Sequence, residues 1–152
     1  SEISKYTGVL EPLNFVAVKQ ELERNGLIDL APDFTYNSGK LAALLYKEEI
    51  ERALKTPSFD GFQLLQLQDF PGQGTALVGL LNAFWESKGI ISAEEFSQFN
   101  SELVPLVRFE KAVYESGEIF KASIEIANFF EDKQNQTIDW TILDDTGSIV
   151  LI

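Results

Sequence analysis

Cysteine, histidine and methionine are all absent from this chain of 152 residues. Without cysteine and histidine there is no disulfide, no thiol nucleophile, no Ser-His-Asp triad and none of the thiolate or imidazole ligands that zinc prefers. The sequence therefore predicts no zinc chemistry and no cofactor. The lack of cysteine leaves the redox compartment open, so the sequence does not fix a localisation; a periplasmic or secreted parent protein is among those it allows.

Basic residues are scarce, with 12 Lys and Arg against 24 Asp and Glu and a formal net charge of -12. Nucleic-acid binding needs a basic surface that displaces counterions, and an anionic membrane surface repels an acidic chain. No apolar run approaches the roughly 20 residues of a membrane-spanning helix. We therefore expect neither nucleic acid nor membrane as a partner. Because the chain begins at Ser1 and lacks methionine, we expect a processed chain or an excised fragment.

Helical spacing dominates the first hundred residues. One helix is predicted over 13–22, ending near Gly26, because glycine suits the left-handed end of a helix. A second helix has its apolar positions within 41–54 and ends before Pro57, since proline disfavours the helical region for the preceding residue. The capping box Ser92-Ala93-Glu94-Glu95 predicts a short helix that continues to about residue 99.

Strand-like alternation occurs once within this helical part and throughout the remainder. Residues 61–69 alternate and predict a strand, followed by the glycine-rich loop 71–75 and an apolar element over 76–85. After about residue 101 the period changes to two, and strands are predicted over 104–109, 119–127, 137–143 and 148–152. A helical part followed by a strand part predicts an α+β chain with two units of different class.

Three short motifs admit a functional interpretation beside a structural one. Gly72-Gln73-Gly74-Thr75 has the outline of a dinucleotide-binding loop, but Leu77 stands where the third glycine belongs, which favours a purely conformational role for the glycines. Asp144-Asp145-Thr146-Gly147 lacks the alternating oxygen ligands of a calcium loop, which favours a hairpin turn. Asn135-Gln136-Thr137 fits a glycosylation sequon, a triplet that is common by chance.

Gln66, Gln68 and Asp69 at the end of the predicted strand are the candidate binding residues. Two amides on one strand face are costly in an apolar core, whereas in a pocket they suit sugar hydroxyls, which both donate and accept hydrogen bonds. The alternative for the glutamines is the solvated face of an edge strand. The alternative for Asp69 is a cap or turn ligand for the loop backbone.

The run from Gly61 to Gly89, GFQLLQLQDFPGQGTALVGLLNAFWESKG, resembles the eighth strand and following loop of glycoside hydrolase family 2, the β-galactosidase-like group. Upstream, YTGVL at 6–10 and YKEEI at 46–50 resemble the region between barrel strands seven and eight. Downstream, VPL at 104–106 and IEIAN at 124–128 resemble the sandwich domain after the barrel. The resemblance covers nearly the whole chain.

The resemblance implies that residues 1–101 are the last part of a (β/α)8 barrel and that 102–152 begin an immunoglobulin-like β-sandwich. It implies retaining hydrolysis of a carbohydrate substrate by two glutamates near strands four and seven. The chain starts after strand seven, so neither glutamate can be placed on it, and we expect no catalytic residue here and no hydrolysis by this chain alone. Gln66, Gln68 and Asp69 would help to line the sugar pocket. The alternative function is a non-catalytic carbohydrate-binding or protein-interaction module.

Unpaired strands give a further expectation. An eighth barrel strand without its two neighbours has two free edges, and the apolar strand at 149–152 also needs a partner. We therefore expect copies of the chain to associate with one another.

Overall fold

A computed structural model describes residues 2–130 and 137–151 of the chain. Its helices and strands show an α+β chain whose two sheets are small and antiparallel. The elements are α1 (Leu13–Arg24), α2 (Ala31–Leu54), α3 (Ala93–Ser97), β1 (Leu103–Phe109), β2 (Ala122–Asn128), β3 (Ile142–Leu143) and β4 (Ile149–Leu151). Single turns of 3-10 helix cover Glu2–Lys5 and Ile28–Leu30. None of the helices in these ranges is long and apolar enough to cross a membrane.

The helices follow the sequence pattern closely, with one difference in length. α1 ends before Gly26, which has the positive φ of 68° predicted for the stop. The Ser92–Glu95 capping box is complete, since the Ser92 side chain accepts from the Glu95 N–H and the Glu95 carboxylate accepts from the Ser92 N–H. α2 begins at Ala31, ten residues before the first apolar position that predicted it. Pro32 in its first turn favours that start, because proline's fixed φ suits the first helical positions.

α2 packs on the segments that follow it. Ala43 of α2 forms a buried cluster with Leu80 and Ile90. Gly39 permits this approach, because a Cβ at that position would lie 2.5 Å from the Cδ1 atom of Ile90. Ile50, two turns further along the same face of α2, is buried as well. The predicted helix is therefore held by a narrow strip of small and branched side chains.

The strand part has one well-formed pair. β1 and β2 are antiparallel, with Val104 opposite Ala127 and Leu106 opposite Glu125. Val104 and Leu106 are almost completely buried, as the alternation at 104–109 predicts for one face of a strand. β2 is shorter than predicted at its start, since residues 119–121 are outside the ladder and lie beyond the last residue of β1 that could pair with them.

The hairpin interpretation of the acidic turn is confirmed. β3 and β4 pair across the turn, and the Asp144 Oδ1 atom accepts hydrogen bonds from the backbone N–H groups of Thr146 and Ser148, each at 2.9 Å. These bonds occupy the carboxylate with its own turn. The Thr146 hydroxyl first, and then the backbone donors, lower the pKa of Asp144. β3 is only two residues long, against the predicted 137–143; the sequon at 135–137 falls largely outside the described residues.

The prediction of a strand over 61–69 is wrong for most of that segment. These residues are extended but belong to no ladder, and their only bridge joins Gln68 to Leu81. Alternating side chains form a strand only where a neighbouring backbone supplies hydrogen bonds. In the described residues the first such bond of this segment is the one that the Leu67 carbonyl accepts from the Leu81 N–H. The apolar element predicted over 76–85 is likewise neither helix nor regular strand.

Much apolar surface remains uncovered. The accessible surface is 11932 Å², whereas size scaling gives about 7,700 Å² for a compact monomer of this mass. Large apolar side chains that are more than half exposed include Val9, Leu44, Leu65, Val113, Ile119 and Val150. Leaving so many large apolar side chains in water is unfavourable, because burying them removes apolar surface from water.

We therefore predict that the purified chain forms dimers or larger assemblies at low micromolar concentration, through its exposed apolar faces and free strand edges. Sedimentation velocity or light scattering measures this directly. A single species of monomer mass with cooperative unfolding would contradict the prediction.

Candidate functional site

The end of the 61–69 segment is the centre of a small three-stranded arrangement. Gln68 forms a parallel bridge with Leu81, and Leu81 forms an antiparallel bridge with Ser87. The Leu81 N–H donates to the Leu67 carbonyl, and the Asp69 N–H donates to the Leu81 carbonyl, each at 3.0 Å. Because the first bridge is parallel, the turn that follows Leu81 leaves from the same end of the arrangement as Asp69.

Gly79 allows its own segment, which leads to Leu81, to approach the backbone of Gln68 and Asp69 closely. A Cβ built on Gly79 would lie 2.4 Å from the carbonyl carbon of Gln68 and 2.5 Å from the nitrogen of Asp69. Both of those atoms belong to backbone, so no side-chain rotation could relieve the contact. Only glycine is compatible with this geometry.

Asp69 is buried, with 3% of its surface exposed, and its partners explain how the carboxylate is tolerated there. Oδ1 accepts the Gly79 N–H at 2.9 Å and the Lys88 ammonium at 2.7 Å. A buried carboxylate is stable only when it is paired and hydrogen-bonded, and Asp69 is both. Asp69 thus binds the backbone at Gly79, beyond the glycine-rich loop 71–75, and so closes that loop from its two ends. This is a structural role of the kind considered as the alternative for Asp69, and Lys88 is a partner that the sequence did not suggest.

Two tyrosines are electrostatically coupled to Asp69. The Tyr46 hydroxyl donates to the Val78 carbonyl at 2.8 Å, and burial, followed by the negative charge of Asp69, raises the pKa of Tyr46. Burial also raises the pKa of Tyr6, with further contributions from Glu2 and from Asp69. Both phenols therefore stay neutral at physiological pH and act as hydrogen-bonding groups, not as bases.

The two glutamines are half-buried and have unused hydrogen-bonding capacity. Gln66 donates from Nε2 to the Ala76 carbonyl at 3.4 Å, a long and therefore weak hydrogen bond. Within residues 2–130 and 137–151 the Gln68 amide has no hydrogen-bonding partner, although its backbone bridges Leu81. Each amide can supply two donors and an acceptor to a ligand.

The sequence interpretation missed a turn that follows Leu81. Asn82 is buried; its Oδ1 accepts the N–H groups of Phe84 at 2.9 Å and Glu86 at 3.0 Å, and its Nδ2 donates to the Glu86 carboxylate. Glu86 also pairs with Lys5, and the hydrogen bonds from Lys5 and then Asn82 lower the pKa of Glu86. The signal available in the sequence was an asparagine, which favours side-chain-capped turns, two residues before the aromatic pair Phe84-Trp85.

Among residues 2–130 and 137–151, no group of three or more carboxylates is arranged to hold a metal ion. The site consists of two amides, a paired carboxylate and neutral phenols, which can bind and orient a polar ligand. A scan against protein families finds no match, and a search of curated proteins finds none.

Proposed function

We propose that the chain is a part of a retaining glycoside hydrolase of the family 2, β-galactosidase-like type, and that it contributes to the carbohydrate pocket through Gln66, Gln68 and the loop that Asp69 holds. One structural observation carries the proposal. Two half-buried amides with unused hydrogen-bonding capacity lie beside a glycine-rich loop at the end of an extended segment. They occur in the run of residues on which the family resemblance rests.

The chemistry of the amides suits a sugar. A sugar hydroxyl donates and accepts hydrogen bonds, and an amide offers both functions without a net charge. Binding sites usually combine a few such polar groups with apolar and aromatic walls. The net charge of -12 disfavours anionic ligands, whereas a neutral carbohydrate is indifferent to it.

The division of the chain belongs to the same proposal. In the described residues all helices end by Ser97, and all named strands begin at Leu103 or later. This order supports residues 1–101 as the end of a (β/α)8 barrel and residues 102–152 as the first strands of an immunoglobulin-like sandwich. The two catalytic glutamates would then come from preceding barrel strands of the parent protein.

A non-catalytic carbohydrate-binding module is the second candidate. The observation that favours it is that no acid/base and nucleophile pair can be assigned among the residues of the site. Both candidates use the same two amides, and they differ in whether the parent protein turns over its ligand.

Replacing Gln66 or Gln68 by alanine in the intact parent protein is expected to lower kcat/KM about fivefold for each residue. One hydrogen bond to a sugar hydroxyl contributes about 1 kcal/mol, and 1.4 kcal/mol corresponds to a factor of ten. A fall in kcat would indicate a bond made in the transition state, whereas a rise in KM alone would indicate uniform binding. A panel of 4-nitrophenyl glycosides measures both constants.

Gln63→Ala is the matched control, because Gln63 is exposed and lies in the same segment at the opposite parity. The isolated chain, which is expected to be inactive, provides the baseline. Unchanged constants for Gln66→Ala and Gln68→Ala would assign both amides a structural role. Turnover by the isolated chain would contradict the placement of the catalytic glutamates elsewhere.

A further inference from the structure

Trp85 is an exposed indole at the tip of the turn that follows Leu81. Its exposed fraction is 63%, and within the described ranges its ring has no aromatic or cationic partner and its indole N–H has no acceptor. An exposed tryptophan leaves a large apolar ring in water, and contact with a ligand or partner would remove that unfavourable exposure.

The backbone of Trp85 is held in an uncommon conformation. Its φ is 64°, in the left-handed region that bulky residues rarely occupy. The turn around it is fixed by Asn82, which bonds to residues on both sides of Trp85, and the Trp85 N–H donates to the Asn82 carbonyl at 3.0 Å. Phe84 packs edge-on against Tyr6 with ring centroids 5.0 Å apart. The surrounding contacts therefore maintain a conformation that costs energy and that sets where the indole lies.

The location of the turn connects Trp85 with the two glutamines. Because Gln68 and Leu81 are bridged in parallel, the turn over 82–86 leaves the arrangement at the end where Asp69 and the glycine-rich loop are found. In a barrel this is the carboxyl end of the strand, where the site forms.

We propose that Trp85 is an aromatic platform on which a pyranose ring of the carbohydrate ligand stacks. The flat face of an indole covers the C–H groups on the apolar side of a sugar, while the hydroxyls at the ring edge remain free for amides such as Gln68. A platform that the turn already holds in place loses little conformational entropy when the ligand binds. This inference rests on the proposed carbohydrate site and adds the residue that supplies its apolar surface.

The test uses the intact parent protein, its Trp85→Ala and Trp85→Phe variants, and Trp140→Ala as the control. Trp140 is also an exposed tryptophan, but it belongs to the strand part of the chain. Two readouts are made: KM on the panel of 4-nitrophenyl glycosides, and binding of the fluorescently labelled protein to an array of immobilised neutral oligosaccharides. Circular dichroism confirms that each variant is folded.

We expect Trp85→Ala to raise KM, or to weaken array binding, at least about tenfold, as is typical when a central aromatic contact is removed. Trp85→Phe should stay within about threefold because it keeps a flat ring, and Trp140→Ala should resemble the unsubstituted protein. Hydrolysis with an unchanged KM in Trp85→Ala would overturn the platform and leave the proposed glycosidase standing.

The remaining outcomes separate the two proposals further. Array binding that requires Trp85 in a parent protein that hydrolyses no glycoside would support the platform and reject the glycosidase in favour of the binding module. A parent protein that neither hydrolyses the glycosides nor binds the array would overturn both.

Discussion

Replacing Asp69 by alanine is expected to lower the free energy of unfolding of this chain by about 3–5 kcal/mol, the usual cost of removing one partner from a buried ion pair. The Lys88 side chain is only 17% exposed, and the substitution would leave its ammonium without a counter-charge. The N–H of Gly79 would lose its acceptor at the same time. Urea unfolding followed by tryptophan fluorescence, at one fixed protein concentration, measures the change.

Three further variants test whether the loss of stability comes from the unpaired Lys88 charge or from the lost hydrogen bond. Asp69→Asn keeps an oxygen for the Gly79 N–H but not the charge, so it should lie between Asp69→Ala and the unsubstituted chain. Adding Lys88→Met to Asp69→Ala should recover part of the loss, since it removes the uncompensated charge. Asp60→Ala, an exposed acid of the preceding segment, should change stability by less than about 0.5 kcal/mol. An Asp69→Ala chain as stable as Asp60→Ala would show that the buried pair does not hold the loop.

Gly79→Ala should lower the free energy of unfolding by about 3 kcal/mol or more. The new Cβ would contact the backbone of Gln68 and Asp69 at 2.4–2.5 Å, so the two segments must separate. Overpacking of this kind costs roughly 1–3 kcal/mol, and separation also weakens the hydrogen bond that joins Gly79 to Asp69 at a further cost of about 1–3 kcal/mol. Hydrogen exchange at the amides of Asp69 and Leu81 should accelerate, because both bonds span the segments that move apart.

Gly61→Ala is the matched glycine control. No atom lies within 4 Å of a Cβ built there, so the substitution should be neutral or stabilise the chain by about 0.4–1 kcal/mol through the unfolded state. Equal effects of Gly79→Ala and Gly61→Ala would mean that the close approach of the two segments does not contribute to stability.

The helices and the hairpin could be predicted because their causes are local. A capping box needs only Ser92 and Glu95 at the correct spacing, and an acidic turn needs only Asp144 and the donors that follow it. Alternation likewise predicted β1, since one face of that strand is buried by side chains two residues apart. The start of α2 was missed because residues 31–40 have no clear apolar stripe, and contact with Ile90 through Gly39 is a tertiary effect.

The candidate site was predicted only in part, because some of its contacts join residues that are distant in the sequence. Gln66, Gln68 and Asp69 were singled out because polar residues at the end of an alternating segment are unusual, and that is visible in a sequence. The partners of Asp69 were not visible, because Lys88 follows 19 residues later and meets the carboxylate only after the chain turns at Asn82. The sequence left both roles of Asp69 open, and the observed contacts support the structural one.

By itself the sequence determined the acidic charge, the lack of thiol and imidazole chemistry, the helical first part and the strand-forming second part. These properties depend on composition and on residues fewer than about five positions apart, within reach of helical and turn periodicity. Only the tertiary structure decided that residues 61–66 stay outside any ladder, that Asp69 is buried against Lys88, and that Trp85 stands exposed at the same end as the glutamines. Backbone pairing and the burial of charge depend on which distant segments meet, and no local pattern specifies that meeting.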